Sequence, residues 1–109
     1  MTKTWSVVFL NETVRGELDE QPEDIRADFL RVVELIVTYG LENMREPHVK
    51  HVAAKLWEMR LRGKDGIGRA LYVTAKERRV VVVRVFAKKT QRTPDSEIKL
   101  ALKRAKEIL

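Results

Sequence analysis

Between Leu56 and Thr90 the chain carries ten lysines or arginines among residues that favour β-strands. In the run from Leu56 to Arg62, apolar and charged residues alternate, so Glu58, Arg60 and Arg62 share one face of a predicted strand. A guanidinium group can bind two phosphate oxygens at once, and an ammonium group supplies a point charge. This stretch therefore suits chemistry on a phosphate or another polyanion better than chemistry on a small neutral metabolite.

Charge is distributed unevenly along the chain, whose formal net charge is +6. Residues 1–49 hold five Lys or Arg against ten Asp or Glu, whereas residues 50–109 hold seventeen against six. A net charge of −5 in the first part and +11 in the second predicts a one-sided positive field that attracts phosphate-bearing or acidic partners. The alternative is that these lysines and arginines form an ordinary solvated surface, but their concentration in one half favours a polyanion partner.

Composition sets limits on the class of protein. The 109 residues, 44% apolar and 35% charged, predict one globular domain over residues 1–109. The chain has no cysteine, which excludes disulfides and thiolate metal sites and fits a reducing cytoplasm. We see no transmembrane run or signal peptide and expect a cytoplasmic protein with no membrane partner. His48 and His51 lack a well-placed third ligand, so we predict no metal and no cofactor.

The first part of the chain predicts a strand followed by a helical hairpin. Trp5–Leu10 is rich in aromatic and β-branched residues, and Asn11 is suited to cap a brief helix that runs through Leu18. A second helix should begin near Pro22 and stop at Gly40. Its apolar stripe recurs at helical spacing and consists of Ile25, Phe29, Val32, Val33 and Ile36. We expect the two helices to pack on one face of a sheet.

The second part of the chain predicts most of that sheet. Residues 41–55 are expected to be a connection. Three further antiparallel strands are predicted over Leu56–Arg62, Arg69–Thr74 and Val80–Phe86. Thr93 is suited to cap a closing helix from Pro94 to Ile108. The sequence thus predicts an α+β fold with a twisted sheet and a C-terminal helix.

The sequence also predicts which face of the sheet some of the side chains occupy. Four consecutive valines, Val80 to Val83, indicate a strand covered on both sides. Strict alternation places Arg84 on the face opposite Val83 and Val85, so that one face packs on helices and the other carries positive charge. Trp57 lies on the apolar face of its strand and is expected in the core.

Two motifs resemble a known group of proteins. One is Leu56-Trp57-Glu58-Met59-Arg60, with Arg69 nine positions further on and Leu71-Tyr72 behind it. The other is Phe86-Ala87-Lys88-Lys89-Thr90-Gln91-Arg92-Thr93-Pro94. Together with the element order, they resemble the RelE/ParE toxin superfamily, and within it the Gp49-like branch that includes HigB-type toxins.

The resemblance implies the toxin of a type II toxin–antitoxin system. RelE-like and HigB-like members are mRNA endoribonucleases that act largely on translated mRNA in the ribosomal A site. The implied partners are mRNA, the ribosome and a cognate antitoxin, often a helix-turn-helix protein, whose complex with the toxin binds its own operator DNA. Carried over by position, Arg60, Arg69 and Lys89 match functional basic residues, and Lys88 and Thr90 belong to the signature of the branch.

Metal-free RNA cleavage needs charge stabilisation on the attacked phosphate and proton transfer at the attacking and leaving oxygens. We assign Arg60 and Arg69 to the scissile phosphate. Lys88 and Lys89 are also expected to contact phosphate, and either could donate a proton. Glu58 is either a base or the partner that aligns an arginine, and alignment is the favoured interpretation.

Further residues are expected to bind RNA without carrying the reaction. They are Lys50, His51, Arg62, Tyr72, Arg84, Thr90 and Arg92. His51 could exchange protons, as imidazole does near neutral pH, or it could be an exposed loop residue. Tyr72 could stack on a base or donate from its hydroxyl. RelE-like toxins carry a functional aromatic near the position of Asp95, where this chain has none, so its acid or base must come from elsewhere.

Two other classes of function remain open. A ParE-like toxin would inhibit a protein such as DNA gyrase without cleaving RNA, and a third possibility is a plain nucleic-acid-binding or phage structural module. The clustered cations favour RNA, because an inhibitor of a protein has no evident need for them. The antitoxin is expected to cover the basic face with an acidic or apolar segment, or to brace the helical hairpin.

Overall fold

The computed structural model describes residues 4–88 and 92–108, with the backbone alone at Lys88. In chain order the elements are β1 (Ser6–Phe9), α1 (Glu12–Asp19), α2 (Glu23–Tyr39), a 3₁₀ turn (Leu41–Asn43), β2 (Val49–Ala53), β3 (Leu56–Gly63), β4 (Gly66–Ala75), β5 (Arg79–Lys88) and α3 (Asp95–Ala105). The sheet has the strand order β1-β5-β4-β3-β2, in which β1 runs parallel to β5 and all other neighbours are antiparallel. The predicted α+β fold is confirmed.

The helices α1 and α2 form the predicted hairpin. Asn11 caps α1 by accepting a hydrogen bond from the Val14 backbone N–H at 3.1 Å, and α2 ends at Gly40, whose φ of 90° suits glycine. The buried residues of α2 are Ile25, Phe29, Val32 and Ile36. They pack on one side of the sheet, here called the hairpin face, against Met59, Leu61, Ala70, Tyr72, Val80, Val82 and Val85.

The opposite side of the sheet is covered by α3 and is here called the α3 face. Beneath Ala101 and Ala105 lie Leu56, Leu71, Val73, Val81, Val83 and Phe86. The four consecutive valines of β5 divide between the two faces and are all buried, so the predicted two-sided cover is confirmed. No helix within the described ranges has the length and apolar character needed to cross a lipid bilayer.

A β-bulge changes the facing of β5. The pairing with β4 shifts where Leu71 faces Arg84 and the next β4 residue faces Val82. Val83 is therefore an extra residue, and it packs beneath α3. The predicted alternation is wrong at this point, because Val83 and Arg84 both lie on the α3 face while Val85 belongs to the core under the hairpin.

The connection predicted over residues 41–55 contains a strand, β2, that forms one edge of the sheet. Its short length and the exposed side chains of Lys50 and His51 hide the usual alternation, as is common in edge strands that must not recruit another chain. Trp57 pairs with His51 at this edge and remains 39% exposed. Its predicted burial in the core is therefore wrong.

Candidate functional site

The α3 face is apolar beneath the helix and charged beyond it. Pairing of β2 with β3 places Lys50 directly opposite Glu58, and pairing of β3 with β4 places Arg60 directly opposite Arg69. Because side chains two residues apart on a strand share a face, the two pairs form neighbouring rows. Arg62 is exposed one step further along the same face of β3. The sheet thus brings together one acid and four cations predicted for the site.

Glu58 is the centre of a buried polar cluster. It is 3% exposed and accepts a hydrogen bond from the Arg69 guanidinium at 2.6 Å, while Arg69 itself is 1% exposed. The second Glu58 oxygen accepts from the Thr93 hydroxyl at 2.8 Å. A buried ion pair persists only when its charges are well hydrogen-bonded. Engagement of both oxygens is the geometry expected of an aligning carboxylate rather than of a base.

Thr93 has a different role from the one predicted. The helix α3 begins at Asp95, and the Pro94 carbonyl accepts from the backbone N–H groups of Glu97 and Ile98 at 3.0 and 3.2 Å. The Thr93 side chain does not cap the helix but binds Glu58. The predicted cap is therefore wrong, and Thr93 instead joins the start of α3 to β3. The Thr-Pro motif marked this residue in the sequence, but its partner is 35 positions away.

Replacing Thr93 by valine is expected to lower the free energy of unfolding by about 1–3 kcal/mol, because one buried oxygen of Glu58 loses its donor. Thr93→Ser keeps the hydroxyl and should retain most of the stability. Urea denaturation of the two variants and the wild type measures the difference. Equal stability of the valine and serine variants would contradict a structural hydrogen bond at this position.

Arg60 differs from its cross-strand partner in forming no ion pair with an acid among the described residues. Its Nε is buried without a hydrogen-bond partner among the described residues, and no ion pair within those ranges includes Arg60. Burial lowers the pKa of Arg69; the Glu58 carboxylate opposes this, and the positive charge of Arg60 lowers that pKa further. Like charges placed directly opposite destabilise a sheet. An anion bound at Arg60 would relieve this repulsion.

A cleft of about 350 Å³ lies between the edge strand β2 and the start of α3 and is here called the α3 cleft. It is lined by Lys50, His51, Val52, Glu58, Arg92, Thr93 and Ile98. Its volume lies at the lower end of the range of small-ligand sites, about 300–1,000 Å³. Lys50 and Arg92 are exposed, and Arg92 lies 3.8 Å from Asp95. Positive side chains therefore stand on both sides of the buried Glu58.

His51 lies at the rim of the α3 cleft. Its Nε2 is 2.7 Å from the carbonyl oxygen of Ala54, and because a carbonyl only accepts, Nε2 is the donor. In the neutral ring, Nδ1 then remains able to accept a proton. The imidazole also meets the Trp57 ring edge to face, with centroids 5.2 Å apart. His51 is thus held in one orientation at an exposed position.

Two predicted RNA-binding residues lie apart from this cluster. Arg84 forms ion pairs with Glu97 at 2.7 Å and with Glu17 at 2.9 Å, and the hydrogen bond that it donates to Glu97 is the largest cause of its raised pKa. Tyr72 is 1% exposed on the hairpin face, where burial raises the pKa of its hydroxyl. In this arrangement Arg84 stabilises the scaffold, and Tyr72 packs in the core.

The remaining predicted residues lie at the end of β5 and directly after it. The backbone of Lys88 pairs with Ile67, two positions along β4 from Arg69. Lys89 and Thr90 lie outside the described residues.

The scaffold depends on Glu17, which joins α1 to β5 and α3. Its carboxylate accepts from the backbone N–H of Val85 at 3.1 Å and from Arg104 at 2.9 Å, while Arg104 also donates to the Val83 carbonyl at 2.9 Å. These side chains satisfy backbone groups of β5 beyond the end of β1, which pairs only with residues 79–82. The open edge of β5 is therefore closed by charged side chains.

Acidification is expected to weaken this link. Burial raises the pKa of Glu17, but the Arg104 hydrogen bond, the Val85 N–H and the charge of Arg84 together hold it below its ordinary value of 4.5. A lowered folded-state pKa gives stability that is complete above the unfolded pKa and lost as pH falls through the folded one. The stability difference between wild type and Glu17→Gln should therefore be largest near neutrality and shrink below about pH 4.5. Urea denaturation across pH tests this, with exposed Glu34→Gln as the matched control; a constant difference would contradict it.

The chain has the fold of RelE proteins. It is similar to the free RelE toxin of Escherichia coli, solved with two arginines replaced by alanine, at a TM-score of 0.63 and 14% identity over 93% of this chain and 97% of that one. It is also similar to a chain of the archaeal RelE–RelB complex from Pyrococcus horikoshii OT3, at a TM-score of 0.55 and 18% identity over 79% and 97%. No curated protein matches the chain.

A family model assigns the chain to a protein family. The model of the family described as phage-derived protein Gp49-like (DUF891) matches residues 16–106, and the chain belongs to this family. The resemblance to the Gp49-like branch predicted from the two motifs is thereby confirmed.

Proposed function

We propose that this protein is the toxin of a type II toxin–antitoxin system and that it acts as a metal-independent, ribosome-dependent mRNA endoribonuclease. The RelE-type fold and the Gp49-like family support the toxin assignment. Arg60 carries the proposal of RNA cleavage, since it lies beside the buried Glu58–Arg69 pair with no acid of its own among the described residues. This group is available to a phosphate.

The reaction that suits these groups is transesterification within RNA. The 2′-oxygen attacks the adjacent phosphorus while its proton passes to a base. The bond from phosphorus to the 5′-oxygen then breaks, and that oxygen takes a proton, which leaves a 2′,3′-cyclic phosphate and a 5′-hydroxyl. Arg60 stabilises the extra negative charge on the phosphorane. Preorganised charges contribute most at this step, because they need no rearrangement as the reaction proceeds.

We assign the other residues by their placement. Arg69 is a positioning residue, since its guanidinium is buried against Glu58. His51 exchanges a proton at the rim of the α3 cleft, and Lys88 and Lys89 remain candidate proton donors. Lys50, Arg62 and Arg92 bind the RNA backbone, together with Thr90.

The proposed partner is an antitoxin, and through it operator DNA. The chain resembles a RelE protein that is found in complex with RelB. The outer side of α2 exposes Leu30, Val37 and Tyr39, which are 65%, 40% and 63% exposed. An apolar surface of this kind favours a protein partner. It also keeps open the alternative of a ParE-like toxin that binds DNA gyrase or another protein target.

The test asks which process stops first after brief expression of the protein, protein synthesis or DNA synthesis. An mRNA endonuclease should halt incorporation of labelled methionine before that of thymidine, and it should leave plasmid supercoiling unchanged. Arg60→Ala should abolish the arrest, whereas Arg26→Ala, an exposed arginine of α2, should not. Early loss of thymidine incorporation with altered supercoiling would overturn the RNA proposal and support the gyrase-type alternative.

A further inference from the structure

The exposed Trp57 at the sheet edge has no role in the reaction described above. Its side chain is 39% exposed, and an indole combines a large apolar ring with a polar N–H, a combination that is enriched at interfaces. Trp57 lies opposite His51 in the β2–β3 pair, and the two rings meet at an interplanar angle of 66°. Because the rings are not stacked on one another, the imidazole does not cover the indole as a parallel ring would.

Trp57 also lines a second cleft on the outer side of β2, here called the edge cleft, of about 610 Å³. The edge cleft is lined by Met44, Arg45, Glu46, Val49, Lys50, His51 and Trp57. Lys50 and His51 line the α3 cleft as well. The two clefts therefore meet at β2, with aromatic rings on one side and the charged row of the α3 face on the other.

We infer that the edge cleft is a nucleobase subsite, in which a base of single-stranded RNA stacks on Trp57 while the adjoining phosphate lies against Lys50. This inference rests on the proposed RNA-cleaving function. A nucleotide combines a flat ring with a negative charge one sugar away, and the edge cleft combines an indole with flanking Arg45 and Lys50. Aromatic platforms beside cationic grooves are the usual means of binding single-stranded nucleic acid.

Lys50 and His51 line both clefts, which explains how one RNA strand could occupy the two of them. An RNA strand that passes over β2 would leave its base with Trp57 and carry the next phosphate past Lys50 into the α3 cleft, next to the row of Arg60 and Arg69. Glu46 adds an acceptor to the edge cleft, and its carboxylate suits an exocyclic amino group of a base. Trp57 would then influence which nucleotide is placed next to the cleaved bond.

The experiment uses the fluorescence of Trp57 itself. The chain has two tryptophans, so Trp5→Phe leaves Trp57 as the sole reporter. The probes are a short 2′-O-methyl oligoribonucleotide, which lacks the attacking hydroxyl, and an abasic oligomer of equal length and charge. Anisotropy of the labelled oligomers reports binding, and low salt strengthens the phosphate contacts.

The inference predicts saturable quenching of Trp57 by the base-containing oligomer and none by the abasic one. Trp57→Leu should weaken binding of the first by about tenfold to a hundredfold, with little change for the abasic oligomer, because stacking is lost while the charges remain. Trp57→Phe should retain part of the affinity. Urea denaturation of both variants confirms that they are folded.

Three results would overturn the inference. If both oligomers bind and Arg60→Ala weakens them while Trp57 fluorescence stays unchanged, the proposed function stands and the base subsite fails. If neither oligomer binds, the subsite fails together with RNA recognition by the free protein. If only the cognate antitoxin quenches Trp57, the ring belongs to a protein interface.

Discussion

Replacing Arg60 by alanine is expected to reduce RNA cleavage by about 10²–10³-fold, the usual effect of removing one preorganised charge from a transition state. Arg60 has no ion-pair partner among the described residues, so its removal leaves no buried acid uncompensated. It also removes a like charge opposite Arg69, so stability should be unchanged or slightly higher. Cleavage rates from single-turnover assays and unfolding curves from urea measure the two effects separately.

Two variants sharpen this prediction. Arg60→Lys keeps the charge but loses the two-pronged contact with phosphate, so it should recover only part of the rate. Arg26→Ala removes an exposed arginine from α2 and should cleave like the wild type. Wild-type cleavage by a folded Arg60→Ala variant would contradict the role of Arg60 in catalysis.

Replacing Glu58 by alanine is expected to be strongly destabilising, by about 3–5 kcal/mol, because it removes the carboxylate that is ion-paired with the buried charge of Arg69. Glu58 is the only acid that the described residues place against Arg69 in an ion pair. Replacing both residues, with Glu58→Leu and Arg69→Met, should restore stability to near the wild-type value, since apolar residues of similar volume often replace a buried ion pair without loss. Urea denaturation of the single and double variants measures the difference. A stable single variant would contradict this account of the pair.

The double variant also separates two roles for Arg69. If Arg69 only positions its neighbours, the double variant keeps Arg60 and should retain measurable cleavage, with the main loss in kcat. If Arg69 contacts the phosphate itself, cleavage should fall as far as in Arg60→Ala. The Glu58→Ala variant cannot make this distinction, because its loss of stability would obscure any loss of activity.

Local patterns predicted the elements that depend on neighbouring residues. Asn11 has a side chain that reaches the backbone three residues on, and Gly40 has a backbone that other residues adopt poorly, so both mark helix ends directly in the sequence. The apolar stripe of α2 and the valines of β5 likewise report burial through their own spacing. The helical hairpin and a strand covered on both sides could therefore be predicted.

Long-range contacts were beyond such patterns. Alternation predicted that Glu58 and Arg60 share a face, but not that Arg69 and Thr93 would both donate hydrogen bonds to Glu58. The bulge at Val83 depends on the pairing of two strands, and no residue type marks it in the sequence. The exposure of Trp57 follows from its place in β3 beside the edge strand β2, which the sequence did not reveal.

The most direct test of the account is to map the ends of a reporter mRNA by primer extension in a translation reaction containing the purified protein. We predict cuts with 5′-hydroxyl ends in the translated mRNA, none with Arg60→Ala, and no cleavage of the same RNA without ribosomes. Persistence of activity on naked RNA with EDTA would keep the RNA chemistry but remove ribosome dependence. If the protein arrests growth in cells but leaves the mRNA of the translation reaction intact, the central claim is contradicted.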